Sequence, residues 1–544
     1  MKDFKILIYI WLVAIVSACS ESFLDTDVLT RKTDENFYST PEECYEALVG
    51  CYDALQLIWA DGVALPVAAT VMADYAFGGT GASDGNGYSM LDEHNKNVSP
   101  GDLNMFEANW INYYKGIFRC NKLISRIDQA DWSSSPELKN QVLAQARFLR
   151  AFFYFDMVRM FERVPLVTRE TKENIPQANP DDTYKLIAED LVFAAEHASS
   201  VTYQQIPATQ HGYANKWAAK SLLARVYLYY TGYYNKADLA GMVSREQVLV
   251  HLENVIANSG YGLVESFYDL WPAASTYKAV KDGNKISDHT YAGETNKEVV
   301  FAIKYTYTSD YNGNTDGNHW MVMNGIRLQS IPKYGYGTGW GASTVVPEFY
   351  LNWPVNDTRR DASIMAVAQE GIAYNQIKDV KEYTGYFTKK YVPTCDENGN
   401  SIAESYGGVN FMIGQFQDYF SIRYSDVLLM AAELGSANAL EYVNQVRSRA
   451  GLSPLGTVNK EAIFQERMYE FAFEGLRYWD LLRYDHSLNY AASKITYTGT
   501  VKTGNNDVAK ARNGENIKTT RGLFQIPYNQ ITLSDNVLTQ NNGW

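Results

Sequence analysis

The chain has 544 residues, which is enough for one large domain or several smaller ones. Its formal net charge of −14 argues against nucleic acid as a partner, because binding to a phosphate backbone depends mainly on Lys and Arg. Aromatic residues make up 14% of the chain, and 41 of them are tyrosines. Rings with a polar tip are typical of carbohydrate sites and of large protein interfaces, although any single ring more often belongs to the core.

The N-terminus has the pattern of an export signal. Two lysines precede an uninterrupted apolar run over residues 6–16, which is too short to span a bilayer, and small residues lead up to Cys19. The sequence VSAC at 16–19 resembles a bacterial lipobox, in which the cysteine receives lipid, and the following SES resembles the surface-export signals of Bacteroidetes lipoproteins. We therefore expect a signal peptide over 1–18, lipidation at Cys19 and a tether over 19–31.

The rest of the chain, 32–544, is predicted to form one domain with three parts. In 32–259 the hydrophobic pattern predicts paired helices that resemble tetratricopeptide units, over 41–58, 106–127, 136–161, 181–197, 213–230 and 245–257. In 260–420 the composition shifts to Gly, Tyr, Trp, Asn and Asp, with short strand-like runs such as 298–303. Helices return in 421–544, at 421–434 and 437–449. The fold class is therefore mostly α, a helix-pair scaffold with a loop-rich insertion that contains short strands.

Residues 461–484 are predicted to form one long helix with many charges. Gly475 within it costs about 1 kcal/mol relative to Ala, so we expect another part of the chain to approach closely there. Glu466, Glu470 and Glu474 fall on one face, each about 6 Å from the next along the axis. A glycosidase needs two carboxylates about 5–10 Å apart, so this spacing permits catalysis. The interleaved arginines would keep the acids ionised, however, and favour a structural ladder of ion pairs.

Other sequence signals of catalysis or metal binding are absent. The chain has no GxxxxGK[ST] loop, HExxH, GxSxG or CxxC motif, and no two of its seven histidines are four residues apart. The cysteines after Cys19 show neither a disulfide framework nor zinc spacing. We therefore predict no cofactor and no metal-ligating residues.

The strongest signal is a series of five motifs in a fixed order. They are QARFLRAFFY with VPLV in 145–167, AAKSLLARVYL at 218–228, YSDVLLMAAE with VNQVRSRAGL in 424–452, FEGLRYWDLLRY at 473–484, and IP with QNNGW in 526–544. In this order they resemble the motifs of the SusD/RagB family. Two departures are mild: Ser-Asp stands at 425–426 where the family usually has Ala-Glu, and Asn-Gln stands at 529–530 where an acidic residue is common.

The resemblance implies a single, mostly α domain with a role in nutrient uptake. Members of this family are surface lipoproteins of the outer membrane that face the cell exterior. They cover a SusC-like TonB-dependent transporter and capture oligosaccharide or polysaccharide for import, without being enzymes. The RagB branch implies peptide import as an alternative. A glycoside hydrolase that uses Glu466 and Glu470 is a distant third hypothesis.

Two loop segments are candidates for the ligand site. Sugars are held by stacking on aromatic rings and by hydrogen bonds from amide, acidic and Arg side chains. Residues 318–340 have this composition, and Gly339-Trp340 resembles a Gly-Trp pair in starch-binding members of the family. The loop over 74–88 is a second candidate. The predicted ligand-contacting residues are Trp340, Trp320, Tyr336, Tyr75, Tyr88 and Asp84.

Overall fold

The structure of the protein is a computed structural model that describes residues 37–60, 63–85, 87–97, 99, 101–275 and 289–544. The predicted signal peptide, Cys19 and the tether lie outside these residues. Within the part of the chain that is described, no helix is both long and apolar enough to cross a membrane.

The N-terminal part is a series of helices that pack in chain order. Each of the six long helices packs against the next long helix in the chain. These helices are α1 (Pro41–Leu57), α4 (Glu107–Arg126), α5 (Pro136–Phe161), α6 (Pro180–His197), α7 (Lys216–Tyr234) and α8 (Arg245–Asn258); between α1 and α4 lie the short helices α2 (Leu65–Val71) and α3 (Gly87–Asp92). The predicted helix-pair scaffold is confirmed, with bounds within a few residues of those predicted.

Local sequence explains where these helices begin. Pro41 starts α1, where its missing N–H costs nothing, and the Thr40 hydroxyl accepts a hydrogen bond from the backbone N–H of Glu43. The Glu43 carboxylate in turn accepts from the backbone of Thr40, which completes a capping box. Asn215 caps α7 in the same way by accepting from the backbone N–H of Ala218.

The described residues form three small sheets, whose strands lie in and after the loop-rich segment except for one near the N-terminus. One has the antiparallel strand order β1-β3-β5-β4, and it joins Ala76–Gly79 near the N-terminus to strands more than 260 residues later. The others pair β2 with β6 and β7 with β8. The strands are β1 (Ala76–Gly79), β2 (Val299–Ile303), β3 (Ala342–Val345), β4 (Ile364–Ala366), β5 (Tyr386–Thr388), β6 (Tyr419–Arg423), β7 (Tyr497–Thr503) and β8 (Asn506–Arg512).

The C-terminal helices close the scaffold by packing on the N-terminal ones. Helix α15 packs on α7, and α12 packs on α8. The helices that follow β3 are α9 (Pro347–Asn352), α10 (Thr358–Ser363), α11 (Ile402–Ser405), α12 (Tyr424–Glu433), α13 (Ala439–Arg449), α14 (Lys460–Glu470), α15 (Arg477–Tyr484), α16 (Asn489–Ile495), α17 (Glu515–Thr520) and α18 (Tyr528–Leu533).

The prediction of one continuous helix over 461–484 is wrong. The chain forms α14 and α15, separated by a turn in which Phe473 and Gly475 have positive φ angles of 63° and 73°. The expectation of a close approach at Gly475 is confirmed, because a Cβ there would lie 2.8 Å from the Cα of Pro66. The glycine therefore breaks the helix and lets α2 pack against the turn.

Replacing Gly475 by Ala should destabilise the fold. The left-handed backbone alone costs an L-residue about 1–2 kcal/mol, and the contact with the Pro66 backbone adds to this. We expect urea unfolding to show a loss of at least about 1–2 kcal/mol. The matched control is Gly50→Ala within α1, where a Cβ meets nothing within 4 Å. That change should instead stabilise the protein by about 0.5–1 kcal/mol, and equal effects of the two substitutions would contradict this account.

Candidate functional site

The three glutamates of the predicted ladder lie in a buried cluster of ion pairs. Glu470 Oε1 accepts from Arg423 at 2.7 Å and also binds Arg449, while Glu470 Oε2 lies 3.2 Å from Arg359. Glu466 binds Arg359 at 2.6 Å and Glu474 binds Lys390 at 2.7 Å. All of these side chains are buried, with 0–3% of their surface exposed.

The partners in this cluster come from the loop-rich segment, from β6 and from α13 rather than from neighbouring turns of one helix. Arg423 ends β6, Arg359 lies on α10, and Lys390 follows β5. Arg423 also binds Glu298 at 2.5 Å, just before β2. The cluster therefore connects the loop-rich segment to α14, which indicates a structural role.

Charge in this cluster disfavours a role in acid catalysis. Burial alone would raise the pKa of Glu470. The positive charges of Arg449, Arg423 and Arg359 outweigh this effect and hold the pKa of Glu470 well below its usual range. A general acid at neutral pH needs the opposite shift. The pKa of Asp426 is lowered in the same way by Arg467 and Arg225, again against the effect of burial.

These depressed pKa values predict a loss of stability in acid. Because the folded-state pKa of Glu470 and of Asp426 lies below the unfolded value, the ionised groups stabilise the fold at pH values above about 4.5. That stabilisation disappears as the pH falls through the lower folded-state values. We expect the melting temperature, followed by circular dichroism, to begin to fall near pH 5 and to keep falling below about pH 3. A melting temperature that stays constant over this range would contradict the prediction.

An accessible aromatic surface lies where the two candidate loop segments meet. Strand β1 pairs with β3, with Gly79 opposite Ala342, and the backbone N–H of Thr80 donates to the carbonyl of Gly341 at 2.9 Å. This pairing brings the loop after β1 beside Trp340. The Trp340 ring is half-buried and, within the described residues, forms no aromatic pair.

Arg327 links the two segments at this surface. Its Nη1 donates to the carbonyl of Trp340 at 3.1 Å and lies 3.3 Å from Asp84 Oδ2. Asp84 in turn accepts from the backbone N–H of Gly81 at 2.7 Å, and its side chain remains 44% exposed. The Nζ of Lys381 donates to the Asp84 carbonyl at 3.1 Å. We call Trp340, Arg327, Asp84 and Lys381 the Trp340 surface.

Close packing of backbone makes this surface rigid. A Cβ at Gly79 would lie 2.2 Å from the carbonyl oxygen of Gly341, and one at Gly339 would lie 1.9 Å from that of Asn324. Gly79 also has a φ of 68°. At these positions in the two candidate loops, only glycine lets the neighbouring backbone approach so closely.

A buried cluster of charged side chains holds the backbone at the start of the loop over 74–88. The backbone N–H of Gly79 donates to Glu382 Oε2 at 2.8 Å, and that of Gly78 donates to Asp92. Lys510 Nζ lies between these acids, 2.6 Å from Asp92 and 2.5 Å from Glu382. Asp92, Glu382 and nearby Glu93 are close enough together to suit a metal ion, but the ammonium of Lys510 already contacts all three. This group holds the Gly78–Gly79 backbone in place.

Three of the predicted ligand residues are core residues. Trp320 is 3% exposed and packs against the rings of Trp59, Tyr391 and Tyr419. Tyr336 is also 3% exposed, and its hydroxyl donates to Glu370 at 2.7 Å. These ring faces are covered by other side chains, so they cannot stack on a sugar in this conformation.

Tyr75 shares this burial, whereas Tyr88 and Asp84 do not. The Tyr75 hydroxyl accepts from the backbone N–H of Phe473 at 3.2 Å, and its ring packs on Phe473 and Phe349. Tyr88 is half-buried on α3 and packs against the core. Burial raises the pKa of both tyrosines, so their hydroxyls stay protonated. Of the six predicted residues, the structure places Trp340 and Asp84 together at an accessible surface.

Trp320 should therefore behave as a core residue when it is replaced. Its truncation to Ala leaves a cavity among three aromatic neighbours, which costs about 3–5 kcal/mol of stability for a buried Trp. Urea unfolding should show this loss. A variant as stable as the unmodified protein would contradict the core assignment.

Arg327 and Lys381 were missed in the sequence. Arg327 lies within the segment that was singled out, but a lone arginine among glycines and tyrosines gives no signal of its own. Lys381 is almost 300 residues from Asp84, and the two meet only because Thr80 and Lys381 pair through their backbones at 3.0 Å. Contacts of this range depend on the sheet order rather than on local pattern.

Comparison with known proteins identifies the family. A model described as "SusD family" matches residues 297–544, and one described as "Starch-binding associating with outer membrane" matches residues 76–228. The chain belongs to the SusD family. The family predicted from the five motifs is thus confirmed.

Individual relatives agree with this assignment. SusD-like protein P2 of Formosa agariphila is 27% identical over 524 residues, which cover 89% of this chain and 91% of that protein. Among solved structures, a laminarin-binding SusD-like protein has 24% identity and a TM-score of 0.71, and covers 93% of this chain and 100% of its own. Surface glycan-binding protein A from Bacteroides thetaiotaomicron, in complex with laminarihexaose, has 22% identity, a TM-score of 0.72 and the same coverage. These likenesses confirm the predicted mostly α, SusD-like fold.

Proposed function

We propose that this SusD-family protein binds glycan at the cell surface through the Trp340 surface. The observation that carries the proposal is the accessible Trp340 ring beside Arg327 and Asp84, on a backbone fixed by glycine contacts. An aromatic face can stack on the C–H face of a sugar, while the guanidinium and carboxylate bind hydroxyl groups. Solved SusD-like structures described as binding laminarin or holding laminarihexaose support the same class of ligand.

The proposal includes membrane anchoring and a transporter partner. The lipobox-like sequence at Cys19 supports a lipid anchor, and a family description that refers to the outer membrane supports the location. We propose that the protein faces the cell exterior and passes glycan to a SusC-like TonB-dependent transporter. Cys19→Ser should abolish labelling by radioactive palmitate, and the unmodified protein should co-purify from native membranes with a TonB-dependent barrel.

The proposal also holds that the protein is not an enzyme. The glutamates that gave rise to the glycosidase hypothesis are bound to buried arginines, and the pKa of Glu470 is lowered rather than raised. Purified protein should therefore release no reducing sugar from any glycan that it binds. Steady hydrolysis by the pure protein would contradict this part of the proposal.

A binding screen tests the function directly. Detergent-solubilised full-length protein would be titrated by calorimetry with neutral polysaccharides, including starch and laminarin, with their oligosaccharides, and with a mixture of peptides. We expect heat of binding from at least one glycan and none from the peptides. Binding of peptides alone would favour the RagB-like alternative and refute the glycan proposal.

A further inference from the structure

A second group of exposed rings lies outside the Trp340 surface. Tyr311 is 65% exposed, Tyr406 is 45% exposed and Tyr307 is 38% exposed. They come from the loop over 305–317 and from 402–416, which begins with α11, and neither segment is among the predicted ligand-binding loops. We call Tyr307, Tyr311, Tyr406 and the neighbouring Phe416 the tyrosine patch.

Three of the four rings of this patch contact one another, and Tyr311 is joined to them through Asn410. The ring of Tyr406 lies 6.3 Å from that of Tyr307, at an interplanar angle of 51°, and 5.1 Å from that of Phe416, at 49°. Three tilted rings at these distances leave parts of their faces exposed to solvent. Exposed aromatic groups of this kind are uncommon on a soluble surface unless they bind something.

Hydrogen bonds hold both loops in place before any ligand binds. Asn410 Nδ2 donates to the Tyr311 hydroxyl at 2.9 Å and so joins one loop to the other. Asp310 Oδ1 accepts from the backbone of Asn312 at 2.7 Å, and Glu404 Oε1 accepts from the backbone of Phe411 at 3.0 Å. A surface ordered in advance loses less entropy on binding, which favours recognition over accidental exposure.

The charges around the patch indicate what kind of ligand it fits. Residues 305–318 and 396–416 contain no Lys or Arg, but they include Asp310, Asp316, Asp396, Glu397 and Glu404. The adjacent Lys304 is paired with the buried Asp418. A sulfated or uronic-acid glycan would be repelled by this surface. The surrounding amide and carboxylate groups can accept and donate hydrogen bonds to the hydroxyls of a neutral sugar.

We propose that the tyrosine patch is a second carbohydrate-binding surface, which holds a neutral polysaccharide chain at a point beyond the sugars bound at the Trp340 surface. This inference rests on the proposed glycan-binding function. A chain long enough to reach both surfaces gains affinity, because the second contact forms at high effective concentration. A short oligosaccharide occupies one surface at a time and gains nothing from the other.

The test compares a long and a short ligand on matched variants. The full-length protein, Tyr311→Ala, Tyr311→Ala/Tyr406→Ala and the control Tyr528→Ala would be titrated with laminarin and with laminarihexaose. If the screen selects another neutral glycan, that polysaccharide and its hexasaccharide are used. Tyr528 is 50% exposed on α18 and lies outside both surfaces, and Tyr311→Ala removes the most exposed ring of the patch.

We expect the double variant to bind polysaccharide about tenfold more weakly, to bind the hexasaccharide unchanged, and to melt at the same temperature as the unmodified protein. Tyr311→Ala alone should show part of this loss, and Tyr528→Ala none. Trp340→Ala should keep weak polysaccharide binding that the combined Trp340/Tyr311/Tyr406 variant lacks.

The other outcomes separate the two proposals. If the unmodified protein binds no glycan, the proposed function fails. If it binds both ligands and the double variant binds polysaccharide as tightly as before, the tyrosine patch proposal is overturned while the proposed function stands. The proposal would also be overturned if the unmodified protein bound oligolysine and the double variant lost this binding while it kept its affinity for polysaccharide. The tyrosine patch would then be a site for basic peptides.

Discussion

Glu470→Gln is expected to lower the free energy of unfolding by about 3–5 kcal/mol, the usual effect of removing one partner from a buried ion pair. The loss of stability should be large because Glu470 forms ion pairs with Arg359, Arg423 and Arg449 at the same time. A neutral amide would leave buried guanidinium charge without compensation. Urea unfolding followed by circular dichroism at pH 7 measures the change.

The control for this substitution is Glu515→Gln. Glu515 pairs with Lys518 at 2.9 Å on α17, but its side chain is 69% exposed, so water screens the pair. We expect a change of less than about 1 kcal/mol. If the two variants lost equal stability, the buried cluster would not be what joins the insertion to the C-terminal helices. A stable Glu470→Gln protein that bound glycan but lost a hydrolytic activity would instead revive the glycosidase hypothesis.

The sequence predicted the scaffold well because its signals are local. Hydrophobic spacing, and Pro41 and Pro136 at the first turn, each depend on residues within one or two helical turns. The helix bounds followed directly from them. The break between α14 and α15 was missed because Gly475 was interpreted as a cost within a helix, whereas its positive φ ends the helical path.

The residues of the proposed site could be predicted only in part, for a physical reason. Composition singled out the two loops that meet at the Trp340 surface, but it could not tell which rings face solvent. Trp320 and Trp340 lie in the same glycine-rich segment, yet Trp320 is covered by rings from the chain after α1, from β6 and from the chain after β5, and Trp340 is not. Burial of a ring is decided by distant parts of the chain, which local pattern does not contain.

Trp340→Ala is the substitution with the largest expected effect on function. Truncation of a central aromatic anchor typically costs about 2 kcal/mol or more, so the dissociation constant for a short oligosaccharide should rise by roughly thirtyfold. Stability should change little compared with Trp320→Ala, since the Trp340 ring is half-buried and lacks the aromatic neighbours of Trp320. Calorimetric titration with the oligosaccharide chosen in the screen, together with a melting curve, measures both quantities.

Further variants identify which chemical property of Trp340 is responsible. Trp340→Phe keeps a flat apolar face and should recover part of the lost affinity, whereas Asp84→Ala removes an exposed hydrogen-bonding group and should weaken binding by a smaller factor. Tyr528→Ala, an exposed aromatic residue on α18, should leave affinity unchanged. If Trp340→Ala binds as tightly as the unmodified protein, the ligand does not stack on this ring and the Trp340 surface is not the site. If affinity and melting temperature of Trp340→Ala fall together, the loss of affinity reflects unfolding. Asp84→Ala then tests whether the Trp340 surface is the site, because the Asp84 side chain is exposed and its removal should leave the fold intact.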